Sequence, residues 1–104
     1  MNRVVLLAVV LLLAGGAAGA AAVEMPTASD CLSGAVVQEV LLQGKARRLA
    51  EIRRNLVGDI VRADLCRAGA LLVYRVTLLD AAGKVRRVLL DATTGRIVYD
   101  SSER

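Results

Sequence analysis

The chain has 104 residues, 14 Lys and Arg against 10 Asp and Glu, no histidine and two cysteines. A net charge of +4 is a mild excess without a polybasic tail, and the absence of histidine excludes Ser-His and Cys-His nucleophilic pairs. With no GxSxG or Ser-x-x-Lys stretch either, a hydrolytic triad is ruled out.

The opening MNRVVLLAVVLLLAGGAAGAAA has one basic residue, Arg3, then an apolar run from Val4 to Leu13, then small residues only. This is the layout of a secretory signal peptide spanning 1–22. Ala20 and Ala22 satisfy the small-residue cleavage rule and place the cut before Val23, with Ala18 and Ala20 as an alternative. A retained membrane anchor is the competing reading. Its apolar run is nearer the roughly 10–14 residues of a signal core than the roughly 18–20 that span a bilayer. A lipoprotein signal needs a cysteine directly after the small residues, where Gly16 stands. Cleavage leaves about 80 residues for one small domain and removes Arg3, lowering the net charge to +3.

Residues 23–30 hold the only proline and no apolar periodicity, and so read as a tether ahead of a domain spanning 31–104. Asp30 or Ser33 is placed to cap a helix with Val36, Val37, Val40 and Leu41 on one face, ended by Gly44. A second helical stretch puts Leu49, Ile52, Leu56 and Val57 on one side and Arg47, Arg48, Glu51, Arg54 and Asn55 on the other, and Gly58 closes it. From Asp59 the periodicity changes to two. Val61, Ala63 and Leu65 alternate with Arg62, Asp64 and Arg67, and Ala68-Gly69 offers a turn. In the next strand Leu72, Tyr74, Val76 and Leu78 share a face while Val73, Arg75 and Thr77 take the other. A third strand runs from Val85 to Asp91 with Val88 and Leu90 inward, and a short fourth from Arg96 to Tyr99 with Ile97 inward. The expected fold is α+β: two N-terminal helices packed on one face of a four-stranded antiparallel sheet.

Cys31 and Cys66 are an even pair in an exported chain, which favours one disulfide over two free buried thiols. They are too far apart for a redox CxxC motif, and without histidine they make no zinc site. The segment LLDAAGKVRRVLLDATTGRIVYD repeats an Asp and a Gly. A calcium loop needs oxygen ligands at alternate positions, whereas Asp80 to Gly83 and Asp91 to Gly95 each offer one carboxylate among Ala and Thr. No metal or other cofactor is expected. Both are read as hairpin turns in which Asp accepts backbone amides and Gly takes the left-handed conformation.

The cations Lys45, Arg47, Arg48, Arg53 and Arg54 form a basic helix face. The plain reading is a solvated face with Arg47 and Glu51 at pairing distance, and the functional one is contact with envelope phosphates. Export and the presence of only two aromatics, Tyr74 and Tyr99, argue against nucleic acid. The second sheet face mixes Val73, Arg75, Thr77, Arg87 and Leu89, and the edge strands offer backbone groups for strand addition.

The order Gly44-Lys45, Leu49-Ala-Glu-Ile52, Leu72-Val-Tyr-Arg-Val76, Asp80-Ala-Ala-Gly83 and Asp91-Ala-Thr-Thr-Gly95-Arg-Ile-Val98 resembles the PepSY domain over about Leu32 to Tyr99. That family comprises small exported bacterial modules, found in propeptides of thermolysin-like metallopeptidases and as stand-alone envelope proteins. The resemblance implies helices on a four-stranded antiparallel sheet, a periplasmic or secreted setting, no catalytic activity, and a role in inhibiting or regulating peptidases. Its fold-defining positions fall on Tyr74, Gly83, Asp91 and Gly95, and it supplies no active-site motif. No protease domain follows in this chain, so a propeptide role in cis is not expected. Cys31 and Cys66 are not general to the family. The implied partner is another envelope protein, a peptidase or a sensor, with membrane contact at most peripheral after cleavage. The alternative is an envelope-associated structural protein that uses the basic helix face on anionic polymers or lipids.

Overall fold

A computed structural model of the protein describes residues 24–102, so the expected signal segment lies outside the described residues. A 3-10 turn at Ala28–Asp30 is followed by α1 (Gly34–Leu42), α2 (Leu49–Ile52) and a second 3-10 turn at Arg53–Asn55. Strands β1 (Asp59–Ala68), β2 (Leu71–Leu79), β3 (Val85–Asp91) and β4 (Ile97–Asp100) then form one antiparallel sheet in sequence order. The class is therefore α+β, with two short helices between residues 34 and 55.

The short turns set the register. Gly69 at φ +62° lets a two-residue turn join β1 to β2 and pairs Ala68 with Leu71. Counting back from that turn pairs Leu65 with Tyr74 and Arg62 with Thr77. The β2–β3 hairpin then sets Tyr74 opposite Leu90, Val76 opposite Val88 and Thr77 opposite Arg87. Side chains alternate along each strand, so two different sets of residues stand on the two faces.

On the first face Leu65, Tyr74, Val76, Leu78, Val88 and Leu90 are buried, in one cluster with Val40, Ala46, Ile52 and Leu56. Polar contacts tie the same regions together. The Tyr74 hydroxyl donates to the Arg47 carbonyl at 2.6 Å, and the Arg47 amide donates to the Ala92 carbonyl at 2.8 Å. A smaller cluster on the opposite side contains Cys66, Ala68, Val73 and Leu89, with Cys31 and Val98 partly buried against it.

Several expectations are corrected at element ends. Ser33 precedes α1, whereas Asp30 closes the preceding 3-10 turn and accepts the Thr27 amide at 2.8 Å. The second helix stops at Ile52, and the tighter winding of Arg53–Asn55 breaks the 3.6-residue period. Val57 therefore emerges into solvent, 75% exposed, while Leu56 is buried. Val36 is also exposed, leaving Val40 as the buried residue of α1. Val61 sits at an irregularity between Ile60 and Arg62 and is exposed, so Ile60 and not Val61 joins the first cluster. A second irregularity opposite Leu89 and Leu90 turns β4, so Ile97 is 39% exposed and Val98 packs with the second cluster.

Cys31 and Cys66 form a disulfide across 35 residues. Cys31 also bridges Cys66 in strand fashion, and the Leu32 amide donates to the Leu65 carbonyl at 2.8 Å. The segment expected as a tether is thus laid against the sheet: Pro26 is buried, and its carbonyl accepts from Arg75 at 3.4 Å.

Candidate functional site

The two Asp-Gly stretches are turns with different surroundings. The Asp80 carboxylate accepts the Ala82 and Lys84 amides at 2.9 and 2.8 Å, and Gly83 follows at φ +84° in open space. The Asp91 carboxylate accepts the Thr93 amide and hydroxyl at 2.8 and 2.7 Å. Desolvation acts to raise its pKa, but these bonds and that of the Thr94 amide together hold it below its ordinary value. A Cβ built on Gly95 would stand 2.9 Å from Ile52 Cβ, so this turn is closely packed on α2. Each carboxylate is spent on its own turn. Among the described residues no group of three or more His, Cys, Asp or Glu is placed to hold a metal ion.

The cations Lys45, Arg47, Arg48, Arg53 and Arg54 are all exposed. Arg47, just ahead of α2, lies 3.7 Å from Glu51 four residues on, both about half exposed, where an ion pair contributes little. Arg47, Glu51, Arg54 and Asn55 line a shallow depression of about 190 Å³ against Thr94 and Gly95. Lys45, Arg48 and Arg53 are not part of it. The predicted basic face is thus brought together only in part.

The larger concavity, about 480 Å³, lies on the second sheet face, lined by Arg62, Asp64, Arg75, Thr77 and Arg87 with Met25, Pro26 and Ala28. Its floor is formed by two adjacent cross-strand rows, Asp64-Arg75 and Arg62-Thr77-Arg87. Arg62 donates to Asp64 at 3.0 Å, and Arg75 reaches the same oxygen at 3.4 Å. The hydrogen bond from Arg62 lowers the Asp64 pKa more than partial burial raises it, and Arg75 adds to the lowering. Asp64 is therefore ionised at neutral pH and shared by two guanidinium groups. Arg87 has its backbone amide on the Ser101 hydroxyl, and its side chain makes no hydrogen bond or ion pair among the described residues.

Alternation alone places Arg75, Thr77 and Arg87 on this face. It sets Arg62 and Asp64 apart from Ala63 and Leu65 on β1 but does not bring them into a groove. Turn length carries the signal that would have found them, since it places Arg62 opposite Thr77. The wall formed by Met25, Pro26 and Ala28 has no such local signal.

The sheet also has two edges. β1 is covered near Leu65 and Cys66 by the strand-like bridge from Cys31. β4 is short, and its Ile97 and Tyr99 are exposed. No described helix is long and apolar enough to cross a membrane. No family model matches the chain, and no curated protein or solved structure matches it.

Proposed function

We propose that this chain is an exported, non-catalytic PepSY-like module that works by protein contact and restrains or regulates a peptidase, or serves a sensor, in the cell envelope. In this reading the two helices lie over one sheet face, and the other face and the strand edges are left for a partner. The observation that carries it is the groove on the second face, where arginines, a threonine and exposed apolar side chains stand together on a rigid sheet. In this reading it is the recognition surface, offering guanidinium groups, the Thr77 hydroxyl and a carboxylate already shared by two arginines. The order of helix, tyrosine-bearing strand and two Asp-Gly turns supports the family reading. The Cys31–Cys66 disulfide supports an oxidising, periplasmic or extracellular setting.

The test is direct. Oxidised protein, immobilised and exposed to envelope extract at physiological salt, is expected to retain a defined protein identifiable by mass spectrometry. That protein, once purified, should bind with a 1:1 stoichiometry, and if it is a peptidase its turnover of a fluorogenic peptide should fall. Retention of nothing but anionic vesicles, abolished by salt and by neutralising Arg47, Arg48, Arg53 and Arg54, would instead establish the envelope-surface role.

A further inference from the structure

We infer that the open half of the second sheet face binds an extended peptide segment bearing a carboxylate at one position and an apolar side chain two positions along. This deepens the protein-contact reading and rests on it. The face is graded along the strands. At one end Cys66 and Val73 are buried under the disulfide, and at the other Leu79 and Val85 are 37% and 57% exposed. The charged rows lie between them.

Charge decides where an acid would sit. Three guanidinium groups line the groove against one carboxylate, Asp64, which Arg62 and Arg75 already share. That leaves Arg87, exposed and without a side-chain partner among the described residues, beside the Thr77 hydroxyl in the same row. A guanidinium offers a planar pair of donors to a carboxylate, and such charge-assisted pairs are the strong ones. Arg62 stands two strands away, about 10 Å across the sheet, near enough to add long-range attraction.

Spacing decides the neighbour. The next row toward the open end is Asp59-Leu79-Val85, two residues further along β2 and β3 and three along β1, where Val61 is the extra residue. Two residues of extended chain span about 7 Å, so a peptide lying along β2 and β3 would present side chains i and i+2 to successive rows. A carboxylate over Arg87 then sets its second neighbour over Leu79 and Val85, whose exposed surface it would cover. Asp59, at the β1 end of that row, repels a second acid there and so keeps the acidic position on the β3 side. Met25 and Pro26 form a wall beside the charged rows.

The test uses the full oxidised chain and end-blocked peptides with the repeats Glu-Ser-Val-Ser and Gln-Ser-Val-Ser, read by fluorescence anisotropy at physiological salt. The glutamate peptide is expected to bind at least about tenfold more tightly than the glutamine one. Arg87→Gln should erase that difference, while Arg54→Gln, on the other side of the molecule, should leave it intact. Val85→Asp should weaken the glutamate peptide by a similar factor, and it keeps the test open should Arg87→Gln fail to fold. Equal binding of the two peptides, no binding, or equal losses from Arg54→Gln and Arg87→Gln would overturn the inference. So would Arg87-dependent binding to phosphatidylglycerol vesicles without peptide binding. An envelope partner retained undiminished by Arg87→Gln would overturn it while leaving the protein-contact reading in place. If no partner is retained by either form, the reading beneath it falls as well.

Discussion

Leu78 and Leu79 are consecutive in β2, yet one is fully buried and the other 37% exposed. They mark the two faces of the sheet. The first face buries an uninterrupted block of Tyr74, Val76, Leu78, Val88 and Leu90 with residues of the helical region. The second buries only its end near the disulfide and turns charged, then apolar and open, along the same strands. One β-ladder thus carries a cohesive side and a partly open, charged side, because alternation sends successive residues to opposite faces.

The largest expected effect breaks the closed end of the second face. Replacing both Cys31 and Cys66 with Ser should lower unfolding free energy by about 4 kcal/mol, from the loop-closure entropy of a 35-residue separation. Urea denaturation followed by circular dichroism measures it, and a loss below about 1 kcal/mol would show that residues 24–32 hold their place without the bond. Next comes the neighbouring leucine pair. Leu78→Ala should cost about 3 kcal/mol through lost burial and the cavity left behind, against about 0.5 kcal/mol for Leu79→Ala. Equal costs in the same denaturation assay would mean that the second face is covered in solution.

A smaller effect separates the two Asp-Gly turns. Gly95→Ala should cost about 2 kcal/mol, since left-handed backbone and contact with Ile52 both penalise the methyl group. Gly83→Ala meets open space and should cost about 1 kcal/mol from backbone conformation alone. Thermal unfolding midpoints of the two variants give the order.

The last expected effect depends on pH and belongs to the rim of the first face. Arg86 holds Asp100 in a two-point ion pair, at 3.1 and 2.7 Å. The hydrogen bonds from Arg86, more than partial burial opposes them, push the Asp100 pKa far below its ordinary value, with Ser102 assisting. A depressed folded-state pKa contributes stability that is complete above the unfolded value, near 4, and is lost as pH falls from there toward the folded value. Urea midpoints measured from pH 6 to pH 2 should therefore fall more steeply for the native chain than for Asp100→Asn. Parallel curves would mean that Asp100 contributes nothing to acid sensitivity. Asp64, also lowered but facing the groove, acts in the same direction from the second face.

Local chemistry made much of this legible. Alternation in β2 separated Tyr74, Val76 and Leu78 from Val73, Arg75 and Thr77, since period two leaves no other arrangement on a half-buried strand. Counting cysteines anticipated the Cys31–Cys66 bond, and counting ligands anticipated turns at Asp80 and Asp91. Irregularities were less legible. Periodicity misplaces Val57, Val61 and Ile97, because a 3-10 turn and two strand irregularities shift the phase, and each strand irregularity depends on the partner strand. The groove lies at a similar remove, because Arg62 and Asp64 gain their role only from facing Arg75, Thr77 and Arg87.

The sequence by itself determined the kinds of element, their order, the three sheet turns at Gly69, Gly83 and Gly95, and the β2 and β3 residues of the first buried face. These follow from backbone preference and hydrophobic period, which act over a few neighbours. Tertiary structure alone decided that Met25, Pro26 and Ala28 wall a groove, that Asp64 serves two arginines while Arg87 has no side-chain partner among the described residues, and that Gly95 lies against Ile52. Those depend on distances between residues far apart in the chain, set only when the strands pair and the disulfide closes.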